Sequence, residues 1–244
     1  MISIIIPVFN EESNIRLVIA AVLAAQKQAG KVPLDIIIVN DASTDKTPQI
    51  IAQLEKKYRF IRSIHHQINR GIGVGFKEAL AVAKYPKFMI VPGDNDAGVG
   101  TIKNLFLHAK DADVIFSYYI NKEMRGRMRN FLSALYGLIY MLVFDVYIQY
   151  INCAAVYSTQ LLRKLDIKAQ RFSITAEVNI KVLCMGCTYH EVAGYMQTGI
   201  GQSKSIRIKN VFEIIKTFIA VMYEIKFAKR DFSNKKPKRI IVDL

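Results

Sequence analysis

The stretch VPGDND, Val91 to Asp96, follows a short apolar run that predicts a buried strand. Its two carboxylates, Asp94 and Asp96, stand one residue apart in a turn-forming segment. In open parallel α/β sheets, ligands bind beyond the carboxyl ends of the strands. Carboxylates placed there offer hard oxygen ligands to Mg²⁺ or Mn²⁺. We predict that Asp94 and Asp96 hold such an ion on a diphosphate, although Gly, Asn and Asp also favour ordinary surface turns.

Apolar runs alternate with helix-periodic segments upstream and downstream of this turn. Strands are predicted at 3–7, 34–39, 60–65, 87–91 and 112–117, and helices at 14–28, 48–58, 76–83 and 101–109. This alternation predicts an α/β fold with a largely parallel sheet covered on both faces. Crossovers between parallel strands are right-handed, so the loops after the strands open at one edge. The polar side chains expected to line one crevice there are Asn10, Glu11, Asp41, Asp45, Asp94 and Asp96.

The second half has a different character. A basic segment from 122 to 129 precedes an uncharged apolar helix predicted at 131–144. Further helices are predicted at 160–164 and 174–185, and a short strand at 190–193. A long amphipathic helix at 208–228 then leads into a basic tail. We interpret the whole chain, 1–244, as one domain in three segments, 1–120, 121–205 and an amphipathic helix with tail at 206–244.

Composition narrows the class of partner. The chain has 34 Lys and Arg against 20 Asp and Glu, a net charge of +14, and 52% hydrophobic residues. The hydrophobic content excludes a disordered chain. The positive charge favours an anionic partner, namely a phosphorylated substrate, an anionic membrane surface or nucleic acid. No recognised nucleic-acid-binding module is present, so nucleic acid is not expected.

Three features of the sequence bear on membrane association and on the cellular compartment. The N-terminus lacks a basic segment and a cleavage site and is predicted as a strand instead of a signal peptide. The apolar run 131–144 is shorter than the roughly 20 residues of a spanning helix, so we expect a buried or interfacial helix. Three cysteines do not form a disulfide framework, which favours a reducing compartment.

Four motifs resemble those of family 2 glycosyltransferases with the GT-A fold, more narrowly the dolichol- and polyprenyl-phosphate mannose synthase group. They are Ile6-Pro7-Val8-Phe9-Asn10-Glu11-Glu12, Asn40-Asp41-Ala42-Ser43-Thr44-Asp45-Lys46-Thr47, Asn69-Arg70-Gly71-Ile72-Gly73 and Asp94-Asn95-Asp96. They occur in the family's order and cover roughly the first 100 residues. Weaker matches are Arg125, Arg129 and Ser133 before the apolar helix, Glu177 on a helix, and Gly201-Gln202-Ser203-Lys204.

The resemblance implies a mixed, mostly parallel Rossmann-like sheet and a nucleotide-sugar donor carrying UDP, GDP or dTDP. It makes residues 1–120 the nucleotide-sugar-binding half and residues 121–205 the acceptor-binding half. Asp41 would accept a hydrogen bond from the donor's base or ribose, and Asp94 and Asp96 would hold Mg²⁺ or Mn²⁺. Arg125 and Arg129 would bind a phosphate, because arginine recognises phosphate through paired hydrogen bonds. The remaining donor-binding residues implied are Pro7, Phe9, Asn10, Glu11, Ser43, Asn69, Gly71 and Asn95.

This chain departs from the family on the acceptor side. The stretch 150–159 lacks the acid and the two basic positions of the family's Asp-x-x-Cys-Gly-Phe-Arg-Leu-Tyr-Arg element. The segment 196–200 lacks the arginine that usually precedes Gly-x-Ser-Lys. Glu177 is either a general base for a hydroxyl acceptor, an orienter of a basic side chain, or part of a solvated helix face.

Other patterns favour structural roles. The spacing of Gly71, Gly73 and Gly75 is not that of a dinucleotide fingerprint, and a close-approach turn before the next helix is expected instead. Cys184 and Cys187 form a lone CxxC, which favours packed thiols at a helix end over a zinc site. His65, His66, His108 and His190 show no ligand spacing, so we predict structural or surface roles for them.

These observations predict an inverting, metal-dependent glycosyltransferase that uses a polyprenyl-phosphate acceptor. The enzyme is expected to lie peripherally at the cytoplasmic face of a membrane and to serve cell-envelope glycan synthesis, with a membrane-anchored partner protein as a further option. One alternative is transfer to a glycan or lipid-linked saccharide hydroxyl. The other is a non-catalytic protein that binds a nucleotide sugar and acts through a partner.

Overall fold

The structure is a computed structural model that describes residues 1–122, 126–171, 173–196, 208–228, 232 and 236–242. The strands are β1 (Ile2–Val8), β2 (Leu34–Asn40), β3 (Ile61–His65), β4 (Lys87–Ile90), β5 (Val114–Tyr119), β6 (Ala155–Ser158), β7 (Thr188–Gly194) and β8 (Lys238–Arg239). The helices are α1 (Ile15–Gln28), α2 (Thr47–Lys57), α3 (Ile72–Val82), α4 (Val99–Leu107), α5 (Arg127–Phe144), α6 (Thr159–Leu162), α7 (Ile174–Cys184) and α8 (Ile208–Lys226).

Within these residues the strands form one sheet in the order β3-β2-β1-β4-β6-β5-β7-β8. Only β6 runs against its neighbours, β4 and β5, and every other pair is parallel. The predicted α/β class, a mixed and mostly parallel sheet with helices, is confirmed.

The core lies on both faces of the sheet. Successive strand residues point to opposite faces, so Ile5 and Ile37 join the cluster under α3, α5 and α7. Ile4 and Ile36 join the cluster under α1, α2 and α4. Because both faces are covered, β1 and β2 are buried almost throughout and read as continuous apolar runs.

Three elements differ from the sequence prediction. Strand β6 was not predicted, since 150–159 was read only as an altered family element. Strand β8 forms from the basic tail by pairing Lys238 with Thr188. Helix α3 begins at Ile72 instead of Phe76, with Gly71 (φ +87°) as its N-cap. Gly75 lies inside this helix, and the position requires glycine because a Cβ there would come within 2.7 Å of a Val39 methyl group.

Candidate functional site

The loops that follow β1 and β2 are held together at the carboxyl edge of the sheet. The strands are in register up to Val8 and Asn40. Beyond them, the backbone N–H of Asn10 donates to Ser43 Oγ (3.0 Å), and that of Thr44 donates to Asn10 Oδ1 (2.8 Å). Asn10 has a left-handed backbone (φ 57°), which asparagine tolerates better than most residues. The two predicted donor-binding loops thus form one bonded unit.

The next residues of the two loops are joined in the same way. The backbone N–H of Glu11 donates to Thr47 Oγ1 (2.9 Å), and that of Glu12 donates to Asp45 Oδ2 (3.1 Å). Burial alone would raise the pKa of Asp45, but hydrogen bonds from Thr47 and backbone N–H groups outweigh it and lower that pKa. Phe9 stands at the edge of this unit with 44% of its surface exposed.

Asp41 is buried and shapes the third loop. Its Oδ1 accepts from the Arg70 backbone N–H (2.8 Å) and contacts His66 Nδ1 (2.8 Å), and its Oδ2 accepts from the Gly71 backbone N–H (2.9 Å). Burial lowers the pKa of His66, but hydrogen bonds to Asp41 and Glu78 outweigh it and raise that pKa above its ordinary value. The role of Asp41 toward a donor base or ribose stays a prediction.

The glycine-rich loop rests on the segment before α7. A Cβ on Gly71 would lie 2.4 Å from Gln170 O, and one on Gly73 would lie 2.2 Å from Ala169 O. The backbone N–H of Gly73 also donates to Gln170 O (2.8 Å). Glycine is therefore required at both positions by the close approach of two backbones, as the sequence predicted for a close-approach turn.

The acidic turn that follows β4 lies against the end of β1. A Cβ on Gly93 would come within 2.5 Å of Pro7 O, so only glycine permits this approach. Asn95 adopts φ 61°, and its buried Oδ1 has no hydrogen-bond partner among the described residues. The backbone N–H of Asp96 donates to Asp94 Oδ1 (3.3 Å). An unsatisfied amide oxygen between two carboxylates is an oxygen-rich donor set of the kind that fits Mg²⁺ or Mn²⁺.

Desolvation and neighbouring charges shift the pKa of Asp94 in both directions. Its side chain is exposed to solvent, and the surrounding protein nevertheless raises its pKa by desolvation. The neighbouring Asp96 charge raises it further, whereas Arg129 at the start of α5 acts in the opposite direction. The structure thus brings Arg129 beside the acidic turn. Arg125, its predicted companion, lies outside the described residues.

The segment after β7 packs against the residues that follow the acidic turn. Met196 pairs with Ala97, and Thr101 Oγ1 donates to Tyr195 O (3.0 Å). The Met196 backbone N–H donates to Asn121 Oδ1 (2.9 Å). Gly201-Gln202-Ser203-Lys204, the late family element, follows in sequence and lies outside the described residues.

Glu177 is not part of a solvated helix face, and that alternative is wrong. Its side chain has 0% exposure and lies 2.7 Å from Lys181 Nζ. Its two oxygens accept from the backbone N–H groups of Lys168 (3.0 Å) and Ala169 (2.6 Å). The carboxylate is thus enclosed by its own partners, and its role as a general base stays a prediction. Glu177 holds the segment on which the glycine-rich loop rests.

Sequence reasoning missed the partners of Glu177. Lys181 Nζ also contacts Glu224 Oε2 on α8 (3.0 Å), and Lys168 Nζ reaches the same oxygen (2.9 Å). Hydrogen bonds and the charges of these two lysines lower the pKa of Glu224 against the opposing effect of burial. The only sequence signal was a Glu and a Lys four residues apart on a helix, which commonly lie on a solvated face.

Helices α5 and α8 pack together and expose apolar surface. Tyr140 and Phe144 contact Phe218, with ring centroids 4.9 and 5.8 Å apart. Outside this contact, large side chains face solvent, Leu142 with 74% and Phe212 with 71% exposure. The others exposed are Met128, Phe131, Leu132, Leu135, Leu138, Ile139, Ile215, Ile219, Tyr223 and Phe227. Among the described helices, none combines the length and the hydropathy needed to cross a bilayer.

The two cysteines of the CxxC lie at the end of α7 as predicted, packed against the protein. Burial raises the pKa of Cys184 and of Cys187 to about 12 in each case. Such thiols are poor nucleophiles near neutral pH.

The model of the family described as "Glycosyl transferase family 2" matches residues 3–166. An uncharacterized protein of Methanocaldococcus jannaschii is 29% identical over 150 residues, 58% of this chain and 62% of that protein. A dolichyl-phosphate beta-glucosyltransferase of Trichomonas vaginalis is 24% identical over 56% of this chain and 45% of its own length. The match thus spans less than two thirds of either relative.

Solved structures share the fold. The glucosyl-3-phosphoglycerate synthase of Mycobacterium tuberculosis, in complex with Mn²⁺, UDP-glucose and phosphoglyceric acid, superposes with a TM-score of 0.68 at 16% identity. The superposition covers 91% of this chain and 79% of that one. TarS of Staphylococcus aureus with UDP gives 0.58 at 18% identity, over 94% and 67% of the two chains. The sheet is of the GT-A type, and this chain belongs to glycosyl transferase family 2.

Proposed function

We propose that this protein transfers a sugar from a nucleoside-diphosphate sugar to a polyprenyl phosphate, with a divalent cation on the diphosphate. The observation that carries the proposal is the acidic turn, where Asp94, Asn95 and Asp96 stand beside Arg129 at the carboxyl edge of the sheet. Complexes of the M. tuberculosis synthase with UDP-glucose and Mn²⁺ support this assignment of donor and metal.

The donor would lie across the joined loops. Pro7, Phe9, Asn10 and Glu11 would wall the nucleotide, together with Ser43, Asp41, Asn69 and Gly71 on the neighbouring loops. Asp94 and Asp96 would hold Mg²⁺ or Mn²⁺, which when bound stabilises the negative charge that develops on the leaving diphosphate. Arg129 would bind a phosphate of the donor or the acceptor, and the sequence assigns the same role to Arg125.

The burial of Glu177 favours a phosphate acceptor. A phosphate monoester is already anionic near neutral pH and attacks the anomeric carbon without a strong general base. Displacement in line from the side opposite the leaving diphosphate inverts the anomeric centre. A hydroxyl acceptor needs a base, and Glu177 is enclosed by Lys181 and two backbone N–H groups.

Helices α5 and α8 support peripheral attachment to a membrane. Their exposed apolar side chains are accompanied by exposed Arg127, Lys216 and Lys226. Amphipathic helices with basic residues bind the interface of anionic membranes. Since Arg129 near the start of α5 acts electrostatically on Asp94, this attachment would bring a lipid phosphate toward the acidic turn. We place the protein at the cytoplasmic face, and a membrane-anchored partner is compatible with the same surface.

The second candidate is transfer to a glycan or lipid-linked saccharide hydroxyl. It is favoured by the altered acceptor element at 150–159, which lacks the family's acid and basic residues. A member that binds nucleotide sugar without turnover is the third. Direct assay with polyprenyl phosphate and with saccharide acceptors separates these: turnover only with saccharides would overturn our proposal, and nucleotide affinity without any turnover would favour the third.

The donor site is tested by calorimetric titration of the whole chain with UDP, GDP and dTDP, with and without Mn²⁺. We expect one nucleotide to bind in a metal-dependent manner and Asp94→Asn to weaken that binding at least about 10-fold, because a metal ligand is lost. Asp145→Asn is the matched control: Asp145 is an exposed acid with φ 54°, away from the acidic turn. Equal affinity of wild type and Asp94→Asn would contradict the placement of the metal.

A further inference from the structure

Two histidines and an aspartate meet at the edge of the sheet opposite the acidic turn. His108 follows the last residue of α4, which starts after the acidic turn and runs back along the sheet, and Asp111 lies three residues further on. His190 is the third residue of β7 and pairs with Ile115 near the start of β5. The sequence separates His108 from His190 widely, so no ligand spacing was visible and structural roles were predicted for both.

The side chains converge with distances that suit a common ion. His108 Nδ1 lies 2.7 Å from Asp111 Oδ2, and the two imidazole rings have centroids 5.1 Å apart. Potential ligand atoms from all three residues lie within 4.8 Å of one another. His108 and His190 are half-buried, whereas Asp111 is exposed, so the cluster is open to solvent on one side.

A hydrogen bond to a backbone carbonyl fixes which ring nitrogen of His190 carries a proton. Its Nδ1 lies 2.9 Å from Ile240 O, and because a carbonyl oxygen only accepts, Nδ1 carries the proton. Nε2 of the neutral ring is then an unprotonated lone-pair donor. Metal-binding histidines are commonly oriented in this way, by donating their second N–H to a carbonyl or carboxylate.

We propose that His108, Asp111 and His190 form a second metal site that binds a transition-metal ion of the Zn²⁺ type. Imidazole nitrogen with one carboxylate oxygen suits Zn²⁺, unlike the all-oxygen set of the acidic turn, which suits Mg²⁺ or Mn²⁺. Three protein ligands leave the open side for water. An ion bound there would replace the hydrogen bond between His108 Nδ1 and Asp111 Oδ2.

The site has a structural consequence. Ile240 follows β8, so the ion connects the end of α4, β7 and the C-terminal strand through His190. Binding to the native state raises apparent stability by mass action. We therefore expect Zn²⁺ to stabilise the pairing of β8 with β7, independently of any nucleotide.

The test is titration of the chelator-treated whole chain with Zn²⁺, followed by calorimetry and by thermal unfolding, and with Co²⁺, followed by visible absorption. We expect one saturable site, a rise in Tm with Zn²⁺, and the absorption bands of Co²⁺ bound to imidazole nitrogen. His108→Ala and His190→Asn should each weaken Zn²⁺ binding by at least about 10-fold. The asparagine keeps an N–H in position for Ile240 O, so His190→Asn separates loss of the ligand from loss of the carbonyl contact.

The controls use residues elsewhere. His65→Ala removes an exposed histidine on β3, and Asp94→Asn removes a ligand of the acidic turn; both should leave Zn²⁺ affinity unchanged. Equal Zn²⁺ affinity of wild type, His108→Ala and His190→Asn, or absence of saturable binding in folded wild type, would overturn the proposal. Absence of Mn²⁺-dependent nucleotide binding in folded wild type, with Zn²⁺ binding intact, would overturn only the donor site.

Discussion

Carboxylates cluster in two regions of this molecule, and the two regions differ in how those carboxylates are exposed and paired. In the acidic turn, Asp94 is open to solvent, its pKa is raised, and Asn95 Oδ1 is buried without a partner among the described residues. In the cluster of Glu177, Lys181 and Glu224, each carboxylate contacts a lysine that is itself fully buried. In the first region the surroundings disfavour the ionised form of Asp94, whereas in the second region the carboxylates are paired with lysine.

This difference is the one expected between the proposed metal site and a structural cluster. A bound cation stabilises the ionised form of a carboxylate whose charge the protein disfavours, whereas a carboxylate that is already paired with lysine gains little further stabilisation. The structural cluster nevertheless supports one of the predicted donor-binding loops. Glu177 holds Lys168 and Ala169, and the carbonyls of Ala169 and Gln170 support Gly73 and Gly71 beside Asp41.

Breaking the balanced cluster should have the largest effect. Lys181→Met leaves the buried carboxylates of Glu177 and Glu224 without their shared cation, and loss of one partner in a buried pair costs about 3–5 kcal/mol. Unfolding in urea measures this loss of stability. Lys216→Met, an exposed lysine on α8, is the control and should change stability by no more than about 0.5 kcal/mol.

A second variant sharpens this result. Glu177→Gln combined with Lys181→Met removes the uncompensated charge and should recover part of the stability lost in Lys181→Met alone. If Lys181→Met alone were as stable as the control, the cluster would not be the buried, balanced structure described above.

The contact between the two regions is tested by Gly73→Ala. The added Cβ would meet Ala169 O at 2.2 Å, so the backbones must separate, at about 1–3 kcal/mol for an overpacked site. We also expect weaker nucleotide binding, because the glycine-rich loop shifts. Gly137→Ala in α5 is the matched control: nothing lies within 4 Å of its Cβ, and the change should stabilise the helix by about 0.5–1 kcal/mol. Equal stability of the two variants would count against a tight contact at Gly73.

The smallest effect on stability is expected at Asp94. Its folded-state pKa is raised above 3.8, so its ionisation opposes folding once the pH exceeds that ordinary value. Asp94→Asn should therefore stabilise the protein slightly near neutral pH, by at most about 0.5 kcal/mol. The gain should vanish below the ordinary pKa, where both forms are neutral. Urea unfolding across this pH range measures it, and a loss of stability near neutral pH would contradict the raised pKa.

Local patterns predicted the first half of the fold well. Strands β1, β2 and β4 are buried on both faces, and their uninterrupted apolar runs ended in the polar loops that meet in the structure. Strand β6 escaped prediction because it is short and its antiparallel direction depends on its neighbours β4 and β5. Strand β8 escaped because Lys238 and Arg239 are exposed and show no apolar alternation.

The sequence by itself determined the alternating α/β architecture, the donor-side motifs and the family, because hydrophobic periodicity and turn-forming residues act over a few neighbouring positions. Tertiary structure alone decided which acids are open and which are paired. Glu177 and Asp94 are both acids beside apolar segments, and what distinguishes them is the packing of the segment 168–169 and of Glu224 on α8 around Glu177 and Lys181. Tertiary structure also brings His108 and His190 together, because the fold places these two distant residues at one edge of the sheet. The free energy of a charge depends on the dielectric and the charges around it in space, and those surroundings exist only once the chain has folded.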